Sequence, residues 1–71
     1  MKLAFIGTGK IIADALFAIE PIKEIEKTAI FARPHSKEKA EAFAKQYNIA
    51  EVYTDYEKLL TETTADTVYI G

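Results

Sequence analysis

A glycine-rich loop near the amino terminus carries the clearest chemical signal in the sequence. Gly7 and Gly9 flank Thr8, and the three residues directly follow a short apolar run. Gly7 permits a tight turn, while Gly9, which has no side chain, lets the backbone approach an anion closely. Lys10 and Ile11 are predicted to begin a helix, whose positive end attracts phosphate groups. The loop therefore predicts a binding site for a pyrophosphate.

The match to the three-glycine pattern of dinucleotide-binding domains is incomplete. The third position of that pattern is Gly or Ala, so that helix and strand pack closely, but it is Ile12 here. The context is the expected one, because the loop follows a predicted strand and opens a predicted helix in a βαβ unit of about 30 residues. A glycine turn that binds no ligand is the alternative interpretation.

The residues that end the second predicted strand indicate which dinucleotide is favoured. NAD-binding domains of this type have Asp or Glu there to bind the ribose hydroxyls, whereas this sequence has Ala32. Arg33 follows at once, with Ser36 and Lys37 just beyond, and a guanidinium group binds phosphate through a charge-assisted, bidentate pair. We therefore expect NADP as the cofactor, with NAD as the alternative. Stacking on adenine and exposure to solvent are two other roles open to Arg33.

No residue is predicted to be catalytic or to bind a metal. His35 is the only histidine, and it lies in a predicted turn beside the adenosine end of the cofactor, so we expect a solvated side chain. The sequence has no cysteine, which excludes a disulfide and a thiolate metal site. Acidic residues that are spread along a helix and a loop, rather than converging, are expected to be solvated. These residues are Asp14, Glu20, Glu24 and Glu26.

Hydrophobic periodicity indicates the elements that must position these residues. Apolar runs predict strands over residues 3–6, 28–32, 51–53 and 67–70. The first helix is expected from Lys10 to Glu20, ending before Pro21, with Ile12 and Leu16 on its buried face. Phenylalanines and tyrosines mostly occupy strand or helix-face positions, so core packing explains them.

Two further helices are predicted from their end signals. Ser36 is the expected N-cap of the second helix, and Asn48 is its expected left-handed stop. Thr54 begins a capping box for the third helix, whose buried side is expected to be Leu59 and Leu60. A polar connection from Thr61 to Asp66 then leads to the last strand.

The alternating order β-α-β-α-β-α-β, with loops of a few residues, implies parallel strands joined by right-handed crossovers. The fold class is therefore α/β, a Rossmann-type parallel sheet in one unit over residues 1–71. Native domains rarely end on a buried strand with an open edge, so we expect a truncated half-domain. The same edge predicts pairing with a second copy, as a homo-oligomer.

Composition excludes several classes of protein. The chain has 71 residues, 49% of them hydrophobic, and a net charge of −2, values typical of a globular domain. Basic and acidic residues are interspersed, which argues against a nucleic-acid partner. We expect no signal peptide, no membrane span and a cytoplasmic location, because the amino terminus runs straight into a strand and no apolar run is long enough to cross a bilayer.

Several strings of the sequence together resemble one family of oxidoreductases. The most specific is Thr54-Asp55-Tyr56-Glu57, which is followed by a lysine and two leucines. The others are the glycine loop over residues 6–11, the Ala32-Arg33 pair, and the stretches 39–44 and 66–70. With these strings, the whole chain resembles the amino-terminal part of the Gfo/Idh/MocA oxidoreductases.

This resemblance implies a Rossmann domain followed by a substrate domain on an open antiparallel sheet, which is absent from this chain. It matches residues 7–11 to the pyrophosphate loop and Arg33 to a common Ser-Arg pair, with Ala32 in place of the serine. The family's Glu-Lys-Pro motif and active-site histidine would lie beyond Gly71, so the chain alone is expected to be inactive. The implied parent is an NAD(P)-dependent oxidoreductase that acts by hydride transfer on a small-molecule substrate, a sugar, cyclitol or related polyol. A non-catalytic nucleotide-sensing or assembly module is the alternative, because fold alone does not determine function.

Overall fold

A computed structural model describes all residues, from Met1 to Gly71, and consists of a four-stranded sheet with helices on both faces. No helix in it combines the length and apolar character needed to span a bilayer. The elements are β1 (Lys2–Ile6), α1 (Lys10–Ile19), β2 (Glu26–Phe31), a 3₁₀ turn (Pro34–Ser36), α2 (Lys37–Tyr47), β3 (Glu51–Tyr53), α3 (Tyr56–Glu62) and β4 (Thr67–Ile70).

The strands are all parallel and lie in the order β3-β2-β1-β4. The chain builds outward from β1 to β2 and β3, then returns to place β4 on the other side of β1. The prediction of an α/β parallel sheet is confirmed. In such sheets ligands bind outside the carboxyl ends of the strands, where the strand order reverses, and here that point lies between β1 and β4.

The face covered by α1 and α2 holds the larger core. Phe5 of β1, Ile30 of β2, and Ile12 and Leu16 of α1 are completely buried there. Burying a side chain of this size contributes about 1.5–3 kcal/mol to folding. The register of β1 against β2 shifts at Thr28, whose buried hydroxyl donates a hydrogen bond of 3.1 Å to the Leu3 carbonyl. This core sets the position of the loop that joins β1 to α1.

The face covered by α3 alone holds a smaller core of Ala4, Ala29, Tyr53 and Leu59. The prediction that Leu60 is also buried is wrong, since its side chain is 53% exposed. Successive helix residues point about 100° apart, so a helix of two turns that directs Leu59 at the sheet turns Leu60 away.

The remaining sequence predictions about α1 and α2 concern the burial of Phe17 and the two ends of α2. Phe17, expected in the core, is 75% exposed, because its neighbour Leu16 takes the buried direction of α1. Asn48 has the predicted left-handed conformation, with φ of 62°, and its amide donates to the Ala44 carbonyl. Ser36 immediately precedes α2 but makes no side-chain capping bond, since its backbone is not extended as capping requires.

The start of α3 corrects a second capping prediction. Asp55, rather than Thr54, is the N-cap, and its carboxylate accepts hydrogen bonds from the amides of Glu57 at 3.0 Å and Lys58 at 3.3 Å. The backbone of Asp55 is extended, so its side chain reaches the first-turn amides. Thr61, expected in the polar connection, belongs to α3, which ends at Glu62.

Candidate cofactor-binding site

An open cleft of about 380 Å³ lies at the carboxyl ends of β1 and β2. Its lining includes four residues that the sequence singles out, Gly7, Thr8, Arg33 and Ser36, and it also includes His35. No acidic side chain lines it. The cleft therefore joins the predicted pyrophosphate loop to the predicted 2′-phosphate residues in one concave surface that suits an anion.

Gly7 is required by the fold itself. Its φ of +120° lies in a region that other residues rarely adopt, and a Cβ atom built on it would lie 2.9 Å from the Gly71 carbonyl oxygen. Its amide donates a hydrogen bond of 3.0 Å to the Phe31 carbonyl, which ties the loop to the end of β2. A side chain at this position would both strain the turn and collide with backbone.

Gly9 is free of both constraints. Its φ of −78° is open to any residue, and a Cβ atom built on it would meet no atom within 4 Å. Gly9 is the N-cap of α1, and its carbonyl accepts the Ala13 amide at 3.0 Å. The absence of a side chain here leaves open the space in front of the helix, which is what the approach of a phosphate requires.

The amino terminus of α1 offers hydrogen-bond donors toward that space. No side chain caps this helix, and the amides of Lys10 and Ile11 are among the first-turn groups that have no partner within a helix. Both side chains are exposed, and they do not line the cleft. Gly9 is also outside the lining. The groups of this helix end that suit an anion are its first-turn amides and the helix dipole.

Ile12 explains the departure from the three-glycine pattern. Its side chain is fully buried, and its Cγ1 atom lies 3.5 Å from the Cβ position of Gly7 and 2.9 Å from that of Gly71. It fills the space between the glycine loop and the end of β4. The residue that departs from the motif is thus a core residue that packs against the glycine loop.

The connection between β2 and α2 positions the remaining predicted residues. Ala32 is buried, and its amide donates to the Tyr53 carbonyl at 2.9 Å. Arg33 is exposed and extended, and its carbonyl accepts the Ser36 amide at 2.8 Å, which closes the 3₁₀ turn. Lys37 is exposed at the start of α2 and does not line the cleft. The structure therefore brings Arg33 and Ser36 to the cleft, and Lys37 lies outside its lining.

His35 lies in an exposed turn, as predicted, and it lines the same cleft as Arg33. The sequence placed it beside the predicted adenosine end of the cofactor but assigned it no binding role. A signal was present in the sequence, since Pro34 before it and the helix after it restrict the turn to a few conformations.

Family and sequence comparisons find known proteins that resemble this chain. A family model described as an oxidoreductase family with an NAD-binding Rossmann fold matches residues 1–71. Trans-1,2-dihydrobenzene-1,2-diol dehydrogenases of Xenopus tropicalis and Xenopus laevis are each 29% identical over 70 residues, which is 99% of this chain. The chain spans only 21% of the length of these relatives.

A solved structure shows the same fold. The apo scyllo-inositol dehydrogenase of Lactobacillus casei superposes with a TM-score of 0.82 at 18% sequence identity. The match covers 100% of this chain and 21% of that chain. The chain thus has the fold of a Rossmann domain.

Proposed function

The chain belongs to the Gfo/Idh/MocA family of oxidoreductases with an NAD-binding Rossmann fold, and from this premise we propose that it forms the cofactor-binding part of an NAD(P)-dependent oxidoreductase. The proposed reaction is hydride transfer between the cofactor and a sugar, cyclitol or related polyol. The named relatives support this substrate class, because one name contains a cyclic diol and the other an inositol.

The observation that carries the proposal is the contrast within the glycine loop. Gly7 makes the turn, and Gly9 leaves open the space before the amides of Lys10 and Ile11. These amides, with the backbone of Thr8, would hold the pyrophosphate at the positive end of α1. When bound, the nicotinamide supplies or accepts the hydride. The role of this chain is to bind and orient the cofactor.

We further propose NADP, rather than NAD, as the favoured cofactor. Ala32 is buried and carries no carboxylate to bind free ribose hydroxyls or repel a 2′-phosphate. Arg33 and Ser36 line the cleft as donors, and Lys37 adds positive charge from farther away. The absence of acidic side chains from the lining favours the more negatively charged cofactor.

The proposal assigns no catalytic residue to this chain. Contacts to the substrate and the proton-transfer group are proposed to lie outside residues 1–71, in keeping with relatives of which the chain spans about a fifth. A cytoplasmic location and a homo-oligomeric state are part of the same proposal. β4 is exposed and lies at the lateral edge of the sheet, so residues 1–71 on their own are expected to associate with another copy through it.

The test measures the dissociation constants of the intact protein for NADP and NAD. Arg33→Ala is expected to weaken NADP binding by roughly ten- to a hundredfold, since a hydrogen bond to a charged group contributes about 1.5–3 kcal/mol. Ala32→Asp is expected to favour NAD. Retention of the NADP preference by either variant would refute this role of Arg33 and favour its stacking on adenine instead. Cofactor binding without turnover of any polyol would instead favour a nucleotide-sensing module.

A further inference from the structure

The backbone holds His35 beside Arg33 before any ligand binds. The two residues belong to one short connection, in which the Ser36 amide donates to the Arg33 carbonyl at 2.8 Å and the Lys37 amide donates to the Pro34 carbonyl. Pro34 further restricts the turn by fixing its own φ. Both residues line the cleft, so an anion bound at Arg33 would lie in the same concave surface as His35.

The charged groups around His35 favour its pairing with a bound anion over its pairing with a carboxylate of the protein. Arg33 and His35 are the only side chains in the cleft lining that can carry a charge. The first turn of α2, which packs against the 3₁₀ turn, presents Lys37 and Lys39 against a single carboxylate, Glu38. A phosphate group that lies between Arg33 and His35 supplies a negative charge with which a protonated imidazole can pair.

We propose that His35 is a second specificity-determining residue for the 2′-phosphate of the cofactor, with its protonated imidazole paired to the phosphate beside Arg33. The inference rests on the proposed function, since it requires the adenosine end of NADP in this cleft. Binding then takes up a proton at His35, and the preference for NADP depends on pH. Histidine side chains gain their charge between about pH 8 and pH 5.

The pH dependence due to His35 can be separated from the pH dependence due to the phosphate itself, because the two run in opposite directions. A phosphate monoester loses its second proton near about pH 6, so its own charge falls in more acidic solution. The contribution of His35 grows as pH falls from about 8 toward 6.5, where the phosphate keeps most of its charge. A variant without the imidazole retains only the titration of the phosphate, which makes the difference between the two proteins the measure of His35.

The experiment compares adenosine 2′,5′-bisphosphate with adenosine 5′-monophosphate by calorimetry on the intact protein. At about pH 6.5, His35→Gln is expected to bind the bisphosphate roughly three- to tenfold more weakly than the native protein. At about pH 8, the two proteins are expected to agree within about twofold, and the monophosphate should not distinguish them at either pH. Buffers of different ionisation enthalpy should show proton uptake by the native protein that the variant lacks.

A second variant keeps the inference open to refutation if the first is compromised. His35→Lys keeps a positive charge at both pH values, so its affinity for the bisphosphate should change with pH only as the phosphate titrates. Equal affinity of His35→Gln and the native protein at about pH 6.5 would overturn the inference. So would an equal loss for both ligands at both pH values, which would indicate adenine stacking or support of the turn.

The same measurements distinguish this failure from failure of the proposed cofactor. If the native protein prefers the bisphosphate and Arg33→Ala abolishes that preference, the NADP proposal stands whatever His35→Gln does. If the native protein does not discriminate the two nucleotides, the 2′-phosphate site is refuted and the role of His35 with it.

Discussion

Besides the lateral edge formed by β4, the sheet has one edge where its strands begin and one where they end. These two edges use their polar groups in opposite ways. At the edge where the strands begin, the groups satisfy one another: the Met1 amino group donates to the Glu24 carbonyl at 2.8 Å, and the Lys2 amide donates to an Asp66 carboxylate oxygen at 3.2 Å. The Asp66 amide donates back to the Lys2 carbonyl at 2.9 Å. This edge closes the fold without needing a ligand.

At the edge where the strands end, the hydrogen bonds join backbone groups to one another, and some donors have no partner. Gly7 donates to the end of β2, and Gly71 donates to Ile6 at 3.1 Å. The first amides of α1 have no side-chain cap, and Arg33 lines the open cleft. A sheet edge that satisfies its own polar groups holds the structure together, and one that leaves donors unpaired is suited to bind an anion.

The largest expected effect is on the free energy of unfolding. It tests whether the edge where the strands end also contains a residue that the fold requires. Gly7→Ala should lower the free energy of unfolding by about 2–4 kcal/mol, because alanine is strained at a φ of +120° and its Cβ atom meets the Gly71 carbonyl. Chemical denaturation without cofactor measures the loss. An unfolding midpoint equal to that of the native protein would show that the loop relaxes, and that Gly7 is not structural.

The next effect isolates a glycine that only the ligand should require. Gly9→Ala should leave stability within about 1 kcal/mol of the native value, since its backbone and surroundings accept a methyl group. Affinity for NADP should fall by about tenfold or more, because the methyl group keeps the pyrophosphate from the helix amides.

Lys10→Ala is the matched control for Gly9→Ala, as it removes an exposed neighbouring side chain and keeps the backbone amide. Its affinity for NADP should change by no more than about threefold, and less at high salt. If Lys10→Ala weakened binding as much as Gly9→Ala does, the side chain rather than the helix amide would be the binding group.

The smallest expected effect is on stability, at the edge where the strands begin. Hydrogen bonds from the Lys2 amide and then the Thr67 hydroxyl hold the pKa of Asp66 below its ordinary value, so the carboxylate stabilises the fold above the pKa it has when unfolded. That stability is lost as pH falls through the lower, folded pKa. Asp66→Asn should therefore be slightly less stable than the native protein at neutral pH and should lose less stability in acid.

Thermal melts of both proteins from neutral to acidic pH measure this difference. The two stability curves should converge in strong acid, where Asp66 is protonated. Affinity for NADP at neutral pH should not change, since Asp66 lies at the edge of the sheet away from the cleft. A loss of affinity would contradict the separation of the two edges.

The sequence by itself determined the features that depend on near neighbours along the chain. The alternation of strands and helices, the turn at Gly7 and the stop at Asn48 all follow from local backbone preferences, and the structure confirms them. The family resemblance, carried by short strings, belongs with these features and is confirmed as well.

Only the tertiary structure decided which residues share a surface. Leu59 is buried and Leu60 is exposed because of how α3 meets the sheet, and Asp55 replaces Thr54 as the cap because its backbone is extended. Such outcomes depend on contacts between distant segments and on the direction of each side chain, which a one-dimensional pattern of residue types does not contain.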